Sequence, residues 1–432
     1  MVRATDGRMG IVSALLALLA LAACGRREPP PYEAWFVPEQ PPAPSAPSSN
    51  AFDAYAKAAL DVEAQAGDLL RLSSFPTKDR RRALEVCSGP LARLAAATRL
   101  PCEFRFTPVE PPNVPHYHRG WTLLGKALVW RIQDAAGAGD TAKAAEWTVV
   151  ATRFGFDLCG GGAMDATLGL TIVDEARRAM LPFVPRMQAS EMETLAQGLR
   201  EALARMPAPQ RLAANEQKAM FAGVQAVQNA FRDDRLDRLE EWMGSPVRPA
   251  IQHLKELRSK DPELRVRYFR GFAREAVEEA RWIERVASVP GRERRDVPPP
   301  AFERERPWRR FASALFTTLR PLYGVHGGLL SAEGGFLEDG RLRLGLMDAT
   351  VARTRLFALH LLFTAKVRRT GAAPRDLREA PADLVTDPFT GERFVYRADG
   401  PDFVVYSVGA DLRDDGGQTD ETAREPDLRL EL

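Results

Sequence analysis

Three cysteines and two histidines are the residues of this sequence whose types and spacing could do chemistry. The cysteines are Cys87, Cys102 and Cys159, and the histidines are His116 and His118 in the stretch PNVPHYHRGW. A cysteine paired with a histidine base is a nucleophile in covalent catalysis. Two imidazoles on one face of an extended segment could begin a zinc site, which Cys102 or an acidic residue would extend. Because only two ligands stand at a matching spacing, packing of the histidines at the start of a helix is the favoured interpretation.

The sequence begins with a pattern typical of an export signal. Arg3 and Arg8 precede an apolar run over residues 9–23. This run is too short and too close to the start for an ordinary membrane-spanning helix of about 20 residues, and it matches the apolar core of a signal peptide. Residues 1–23 are therefore predicted to be a signal peptide.

A fourth cysteine follows this run at once. Residues 21–24 read LAAC and resemble the lipobox of bacterial lipoproteins. The resemblance implies that the chain is cleaved before Cys24 and that its sulfur is acylated, which would anchor the protein in a membrane through several acyl chains. In lipoproteins, an aspartate directly after the acylated cysteine retains the protein at the inner membrane. This chain has Gly25 at that position, so the resemblance implies an outer-membrane destination, facing the periplasm or the exterior.

That location bears on the remaining thiols. Outside the cytoplasm, cysteines tend to pair. Cys87 and Cys102 bracket a loop of moderate length, CSGPLARLAAATRLPC, and are the predicted disulfide. Either of them could bond to Cys159 instead, and one of the three is left over.

Composition limits the classes of partner. The 432 residues are 45% hydrophobic and 27% charged with a net charge of +2, a balance that gives no reason to expect a nucleic-acid partner. Residues 24–49 are rich in proline, serine and alanine, so they are predicted to be a tether that buries no core. The mixed arginine and glutamate run after residue 290 is interpreted as a solvated linker.

Helical periodicity dominates residues 50–290. Asn50 is a predicted N-cap, and alanine, leucine and valine recur at spacings of three and four residues. Residues 121–136 and 141–154, joined by GAGD, resemble one tetratricopeptide-type hairpin, but a solenoid needs several such units in phase. The expected fold is therefore mainly α, an irregular helical bundle or hairpin array. The helices are predicted near residues 77–87, 91–99, 118–136, 140–156, 163–181, 189–205, 209–243, 262–287, 302–320 and 347–369.

A second organisation is predicted after residue 290. Residues 291–346 are interpreted as a linker, a helix and a glycine-rich hairpin about Asp339 and Gly340. Residues 347–417 are predicted to form a small C-terminal α+β unit, in which a long helix precedes two short strands over 393–397 and 403–407.

The C-terminal unit resembles the C-terminal domain of the major pseudopilins of type II secretion. In that family a long helix precedes a stretch that opens on Asp-Pro, then a hairpin and a YS-x-GAD loop. The matching residues are Asp387, Pro388, Gly391, Tyr396, Tyr406, Ser407, Gly409, Ala410 and Asp411. The unit and the helical body together are also similar to uncharacterised bacterial helical lipoproteins.

The resemblance implies a calcium site. Pseudopilins bind calcium in the loop after the final strand, so Asp411, with Asp414 and Asp415, is implied as a ligand set of the hard oxygens that calcium prefers. A polar turn that caps the hairpin is the alternative. The family's closing segment is replaced by QTDETAREPDLRL, and its N-terminal prepilin helix is missing, so incorporation into a pseudopilus is not expected. Residues 418–432 are predicted to be a disordered tail.

The expected function is that of a cell-envelope lipoprotein of non-enzymatic binding or scaffolding type, with a secretion or envelope assembly as the partner. A periplasm-facing hydrolase with its site in the helical body is the first alternative, and a compact pocket that joins His116, His118 and an acidic residue would favour it. A structural surface lipoprotein is the second.

Overall fold

The computed structural model describes most of the chain after the tether. The described residues are 49–71, 77–105, 117–238, 248–260, 262–298, 336–417 and 427–430. Several predictions concern residues outside these ranges: the signal peptide, the lipobox with Cys24, most of the tether, His116, the helix near 302–320 and most of the tail.

The described part of the chain is mainly helical. Its α-helices are α1 (Ala51–Ala66), α2 (Thr77–Ala97), α3 (Tyr117–Gly137), α4 (Thr141–Leu158), α5 (Ala163–Met180), α6 (Ala189–Ala204), α7 (Pro209–Arg232), α8 (Arg248–Arg258), α9 (Pro262–Ser288) and α10 (Phe336–Thr370). Short 3-10 turns lie at Gly67–Arg71, Leu181–Arg186, Gly291–Asp296 and Leu377–Glu379. These bounds confirm most of the predicted helices.

Local sequence explains where several helices start. The Asn50 side chain accepts a hydrogen bond from the Phe52 amide at 3.2 Å, and the Asp140 side chain accepts one from the Lys143 amide at 2.9 Å. Each satisfies a backbone N–H that would otherwise lack a partner at a helix start. At α7, Pro209 occupies the first turn, where its missing N–H costs nothing.

Three predictions of local structure are wrong. The helix predicted over 209–243 ends at Arg232, where Asp233 and the positive φ of Asp234 terminate it. Helix α2 continues through Gly89 and Pro90, where the sequence predicts a break, because burial of the Pro90 ring among apolar neighbours offsets the missing hydrogen bond. The predicted hairpin about Asp339 and Gly340 is instead the start of α10. Burial of Leu344 against the core offsets the low helix propensity of glycine there.

The apolar side chains form two clusters. The larger lies among α1 to α6 and the second half of α10, with Trp121 and Phe154 at its centre. The second lies mainly among α7, α8, α9 and the start of α10, and contains Phe231, Phe269 and Trp282. Helix α10 lies along α6 and also contacts α5 and α9, so it joins both clusters.

A small antiparallel sheet closes the C-terminus, with strands β1 (Val395–Asp399), β2 (Asp402–Ser407) and β3 (Leu428–Arg429) in the order β1-β2-β3. Asp399 pairs with Asp402 across the turn, so β1 lies two residues later than the strand predicted over 393–397, and Tyr406 pairs with Arg429. Strand β3 falls in the segment predicted to be a disordered tail. It is ordered because the Asp427 carboxylate accepts the amides of Asp415 and Gly417 at 3.1 and 2.8 Å.

The sheet packs on α10 through aromatic side chains. The Phe363 ring lies 5.4 Å from the Tyr396 ring and 5.5 Å from the Phe403 ring, measured between centroids. His360 stacks on Phe403, and burial lowers the pKa of its imidazole to about 4. The fold is therefore mainly α with a small C-terminal α+β unit, as predicted. Among the described helices, none is long and apolar enough to span a membrane.

Candidate functional site

Of the two predicted histidines, His118 lies within the described residues, in the first turn of α3. Its Nε2 atom is 3.0 Å from the Oδ1 atom of Asp165 on α5, and both side chains are buried. A carboxylate beside an imidazole nitrogen orients the ring, an arrangement found in general bases and in zinc sites. The sequence prediction named an acidic partner for the histidines without identifying it.

Asp165 lies in the first turn of α5, directly after a turn over residues 159–162 that contains three glycines and connects α4 to α5. The Gly162 amide donates to Asp165 Oδ2 at 3.0 Å, and the Ala163 amide donates to the Glu216 carboxylate of α7 at 2.7 Å. A Cβ added to Gly161 would lie 2.4 Å from Asp165 Oδ2. The carboxylates therefore fill the positive N-terminus of α5, which would otherwise attract an external anion.

A third buried carboxylate belongs to Asp157, near the end of α4. The Tyr55 hydroxyl donates to Asp157 Oδ2 at 2.7 Å, and the Trp121 indole N–H donates to the Tyr55 carbonyl at 2.9 Å. Burial raises the pKa of Asp157 to about 6, and the Tyr55 hydrogen bond opposes that rise. Burial and the nearby carboxylate raise the pKa of the Tyr55 phenol well above its usual value. The pair ties α1 to α4.

Backbone contact between glycines brings these groups together. A Cβ on Gly155 would lie 2.4 Å from the carbonyl oxygen of Gly169, and one on Gly169 would lie 2.1 Å from the carbonyl oxygen of Gly155. Only glycine permits such an approach of α4 to α5. At a second crossing, between α3 and α1, a Cβ on Gly120 would overlap the Ala59 backbone. The buried polar cluster is therefore held by backbones in direct contact.

Cys87, Cys102 and Cys159 are free thiols in the structure, and the last two lie near the Asp157 carboxylate. Cys87 is buried within α2 near Arg131, whereas Cys102 lies beside the Phe52 amide. The predicted Cys87–Cys102 disulfide is therefore not formed in the structure, where the two thiols have different neighbours. Cys159, the third thiol, donates to the Gly155 carbonyl at 3.5 Å.

Burial makes all three thiols poor nucleophiles. It raises the pKa of Cys87 to about 12 and those of Cys102 and Cys159 higher still, with the Asp157 carboxylate adding to the effect at both. A reactive cysteine needs the opposite shift, because the thiolate is the attacking species. The arrangement therefore gives no support to a Cys–His nucleophile.

A groove opens on the other side of α4. It has a volume of about 1170 Å³ and is lined by the end of α2, the first half of α4 and the length of α6. Its apolar surface comes mainly from Ala142, Trp147, Val149 and Val150, which are exposed or partly exposed. Gly198 allows α6 to approach α4 closely, since a Cβ there would lie 2.5 Å from the Val149 side chain.

Charged side chains at the rim of the groove are mostly paired with one another. Arg153 contacts Glu201 at 2.7 Å, and Glu193 is bound by Arg369 of α10 at 2.6 Å. Lys143 lies 5.7 Å from the Trp147 ring centre, in a cation–π contact. At one end, Arg99 is exposed and makes no ion pair within the described residues. An apolar floor with a polar rim is typical of a surface that binds another chain.

The predicted calcium ligands lie in the turn after β2. Asp411 accepts the Arg413 amide at 3.0 Å, and Asp414 accepts the Tyr406 hydroxyl at 2.7 Å. The Asp415 amide is bound by Asp427. Throughout the part of the chain that the structure describes, no group of three or more His, Cys, Asp or Glu side chains is placed to hold a metal ion. Calcium binding at Asp411, Asp414 and Asp415 stays a prediction.

Two features of the structure were not predicted from the sequence. Asp165 could have been found, because a glycine run followed by an acidic residue at the third helical position is a helix-start signal. The groove has no comparable signal, since its lining comes from three helices that are far apart in sequence.

No protein-family model matches the chain, and no curated protein or solved structure is similar enough to it to match.

Proposed function

We propose that this protein is a lipid-anchored protein of the bacterial cell envelope that binds a partner protein through the groove between α2, α4 and α6. The observation that carries the proposal is the groove of about 1170 Å³ itself. The nearby chemical groups are turned inward: Asp165 and Glu216 cap a helix, Asp157 binds Tyr55, and the thiols of Cys87 and Cys159 are buried. Binding fits this division better than catalysis.

The lipid anchor comes from the resemblance of residues 21–24 to a lipobox. It would place the helical body near the membrane on a proline-rich tether, so that the body can bind a protein of the same envelope. An extended segment of a partner fits the groove, because its floor is apolar and Arg99 at one end could pair with an acidic side chain.

The pseudopilin-like unit supports a link to a secretion or envelope assembly. Its helix, α10, packs along α6 and α5 of the body. Arg353 donates to Asp174 at 3.1 Å, and Arg368 donates to the Pro185 carbonyl at 2.6 Å. A helix used in this way is committed to the body, so the unit would act as a docked module and not as a filament subunit.

Site-specific photo-cross-linking in native envelopes tests the proposal. The probe residue replaces Thr194, which is exposed in the groove, and the matched control replaces Gln252, which is exposed on α8. We expect one envelope protein to be cross-linked from position 194 and not from 252. Ala142→Trp, which fills the groove from an exposed position, should abolish the adduct, and Cys24→Ala should reduce it by releasing the chain from the membrane.

Equal labelling from both positions, or an adduct that survives Ala142→Trp, would show that the groove is not the binding surface. Absence of any specific adduct would favour the structural surface lipoprotein.

The hydrolase alternative is favoured by one observation, the 3.0 Å approach of His118 to Asp165. It predicts that this protein hydrolyses ester or amide substrates. His118→Gln should then remove the activity, while the thermal unfolding temperature stays within a few degrees of that of the parent. Binding through the groove predicts no such loss and an unchanged cross-link from position 194.

A further inference from the structure

Helix α9 presents a line of arginines on its exposed side. Arg267, Arg270, Arg274, Arg281 and Arg285 are all exposed. Their spacings of three, four, seven and four residues place them on one face of a helix, which repeats every 3.6 residues. At about 1.5 Å per residue they span about 27 Å. These five residues are called the arginine stripe below.

Most of the stripe is electrically unpaired. Arg274 lies 3.8 Å from Glu278, one turn along the same face. The other four arginines make no ion pair or side-chain hydrogen bond with any residue in the described ranges. Glu263 stands on this face at the start of the helix, and Glu284 lies beside it, where it accepts from Gln217 of α7. The stripe keeps a strong positive excess along its length.

The opposite side of α9 fixes the stripe in place. Phe269, Ala276, Ala280 and Ile283 are buried, and they pack against α7 in the second apolar cluster. The helix therefore cannot rotate to hide the arginines without exposing this core. A rigid row of charges about 27 Å long on the outside of a helix matches a flat, extended surface better than a small molecule.

We propose that the arginine stripe docks on an anionic phospholipid surface. A guanidinium binds phosphate with two parallel hydrogen bonds, and a row of them matches a plane of phosphate headgroups. No aromatic side chain stands between the arginines on the exposed face, and stacking aromatics are the usual mark of single-stranded nucleic-acid sites. This inference goes beyond the proposed function, because it requires neither the groove nor an acylated Cys24.

Vesicle co-sedimentation of the unacylated mature chain, from residue 24 onward with Cys24→Ala, tests the inference. One set of vesicles is phosphatidylcholine alone, and the other is an equal mixture of phosphatidylcholine and phosphatidylglycerol. We expect binding to the mixed vesicles only, weakening as salt is raised. Each arginine near such a surface strengthens binding about fivefold, so replacing Arg267, Arg270, Arg281 and Arg285 by glutamine should weaken it about a hundredfold or more.

A matched control removes the same charge elsewhere. Arg81, Arg119, Arg178 and Arg413 are exposed, scattered over the molecule and free of ion pairs within the described residues. Their replacement by glutamine should change vesicle binding far less. Replacing the four stripe arginines by lysine should retain most of the binding, which separates loss of charge from loss of the fold.

Three results would overturn the inference. The first is absence of binding to mixed vesicles. The second is equal loss in the stripe and control variants, which would indicate net charge alone. The third is tight binding of the stripe to single-stranded DNA or to a polyglutamate peptide without binding to vesicles, which would assign it to a different polyanion.

Discussion

Helices α4 and α5 differ from helix α9 in how closely their backbones approach other elements. Gly155 and Gly169 bring α4 and α5 into backbone contact, whereas a Cβ on Gly271 of α9 would meet no atom of the described residues within 4 Å outside its own stretch of the helix. Helix α9 packs through large side chains instead, with the Phe269 ring 4.9 Å from that of Phe231 on α7.

The placement of charge differs in the same way. Around α4 and α5 the acidic groups point inward and are consumed by helix ends and hydroxyls, as at Asp165 and Asp157. On α9 the five arginines of the stripe point outward, and of these only Arg274 has an ion-pair partner in the described part of the chain. The polar groups around α4 and α5 hold helices together, whereas those on α9 are exposed to solvent. We therefore expect a surface that recognises a partner on α9.

The largest effect is expected from adding one methyl group to each region. Gly169→Ala should lower the free energy of unfolding by about 3 kcal/mol, because the new Cβ overlaps the Gly155 carbonyl and the two helices must separate. Gly271→Ala should raise it by up to about 1 kcal/mol, because alanine favours the helix and has open space. Urea unfolding measures both. Similar effects of the two substitutions would refute the contrast in packing.

The buried Asp157 carboxylate, in the region of α4 and α5, should make the free energy of unfolding depend on pH. The native pKa of Asp157, about 6, lies above its unfolded value of 3.8, so the native state binds the proton more tightly. The stability gained from this proton is present below about pH 4 and is lost as the pH rises through 6. Asp157→Asn keeps an acceptor for Tyr55 and has no charge to bury. It should be more stable than the parent at pH 8, by about 2 kcal/mol.

Thermal unfolding from pH 4 to pH 8 measures this difference. The parent should lose stability relative to Asp157→Asn across that range. Tyr55→Phe is the control, since it leaves the carboxylate without its hydroxyl donor and should steepen the loss. Parallel pH profiles for parent and Asp157→Asn would mean that Asp157 is solvated in the native state.

The smallest effect is expected when the native protein is treated with thiol reagents. Cys87, Cys102 and Cys159 should resist iodoacetamide at pH 8 in the native protein, because burial raises the pKa of each. All three should react in denaturant without reductant, which mass spectrometry counts directly. Reaction of only one cysteine would establish the disulfide that the sequence predicts, and fast labelling in the native state would show that the first region opens.

Much of the fold was predictable because its signals are local. The helix starts at Asn50 and Asp140 follow from capping, and the turn between β1 and β2 follows from Asp399 and Gly400. The errors arose where distant contacts decide. Burial of Leu344 stabilises a helix that glycines discourage, and Asp427 draws β3 onto the sheet from beyond a polar segment.

The site was less predictable for the same reason. His118 was singled out by type, but its partner Asp165 lies on another helix. The arginine stripe needs knowledge of which face of α9 is buried, because arginines also occur at other positions of the same helix. Spacing alone does not separate Arg267 on the exposed face from the partly buried Arg265.

Helix α10 has a consequence for the order of events during synthesis. It binds partners made much earlier, as in the contact of Arg353 with Asp174, which are 179 residues apart. Contacts of such long range form late, since the loop between them must first close. The helical body therefore cannot complete its core until almost the whole chain has been made. Docking of α10 on α5 and α6 is therefore the closing step in the assembly of the helical body.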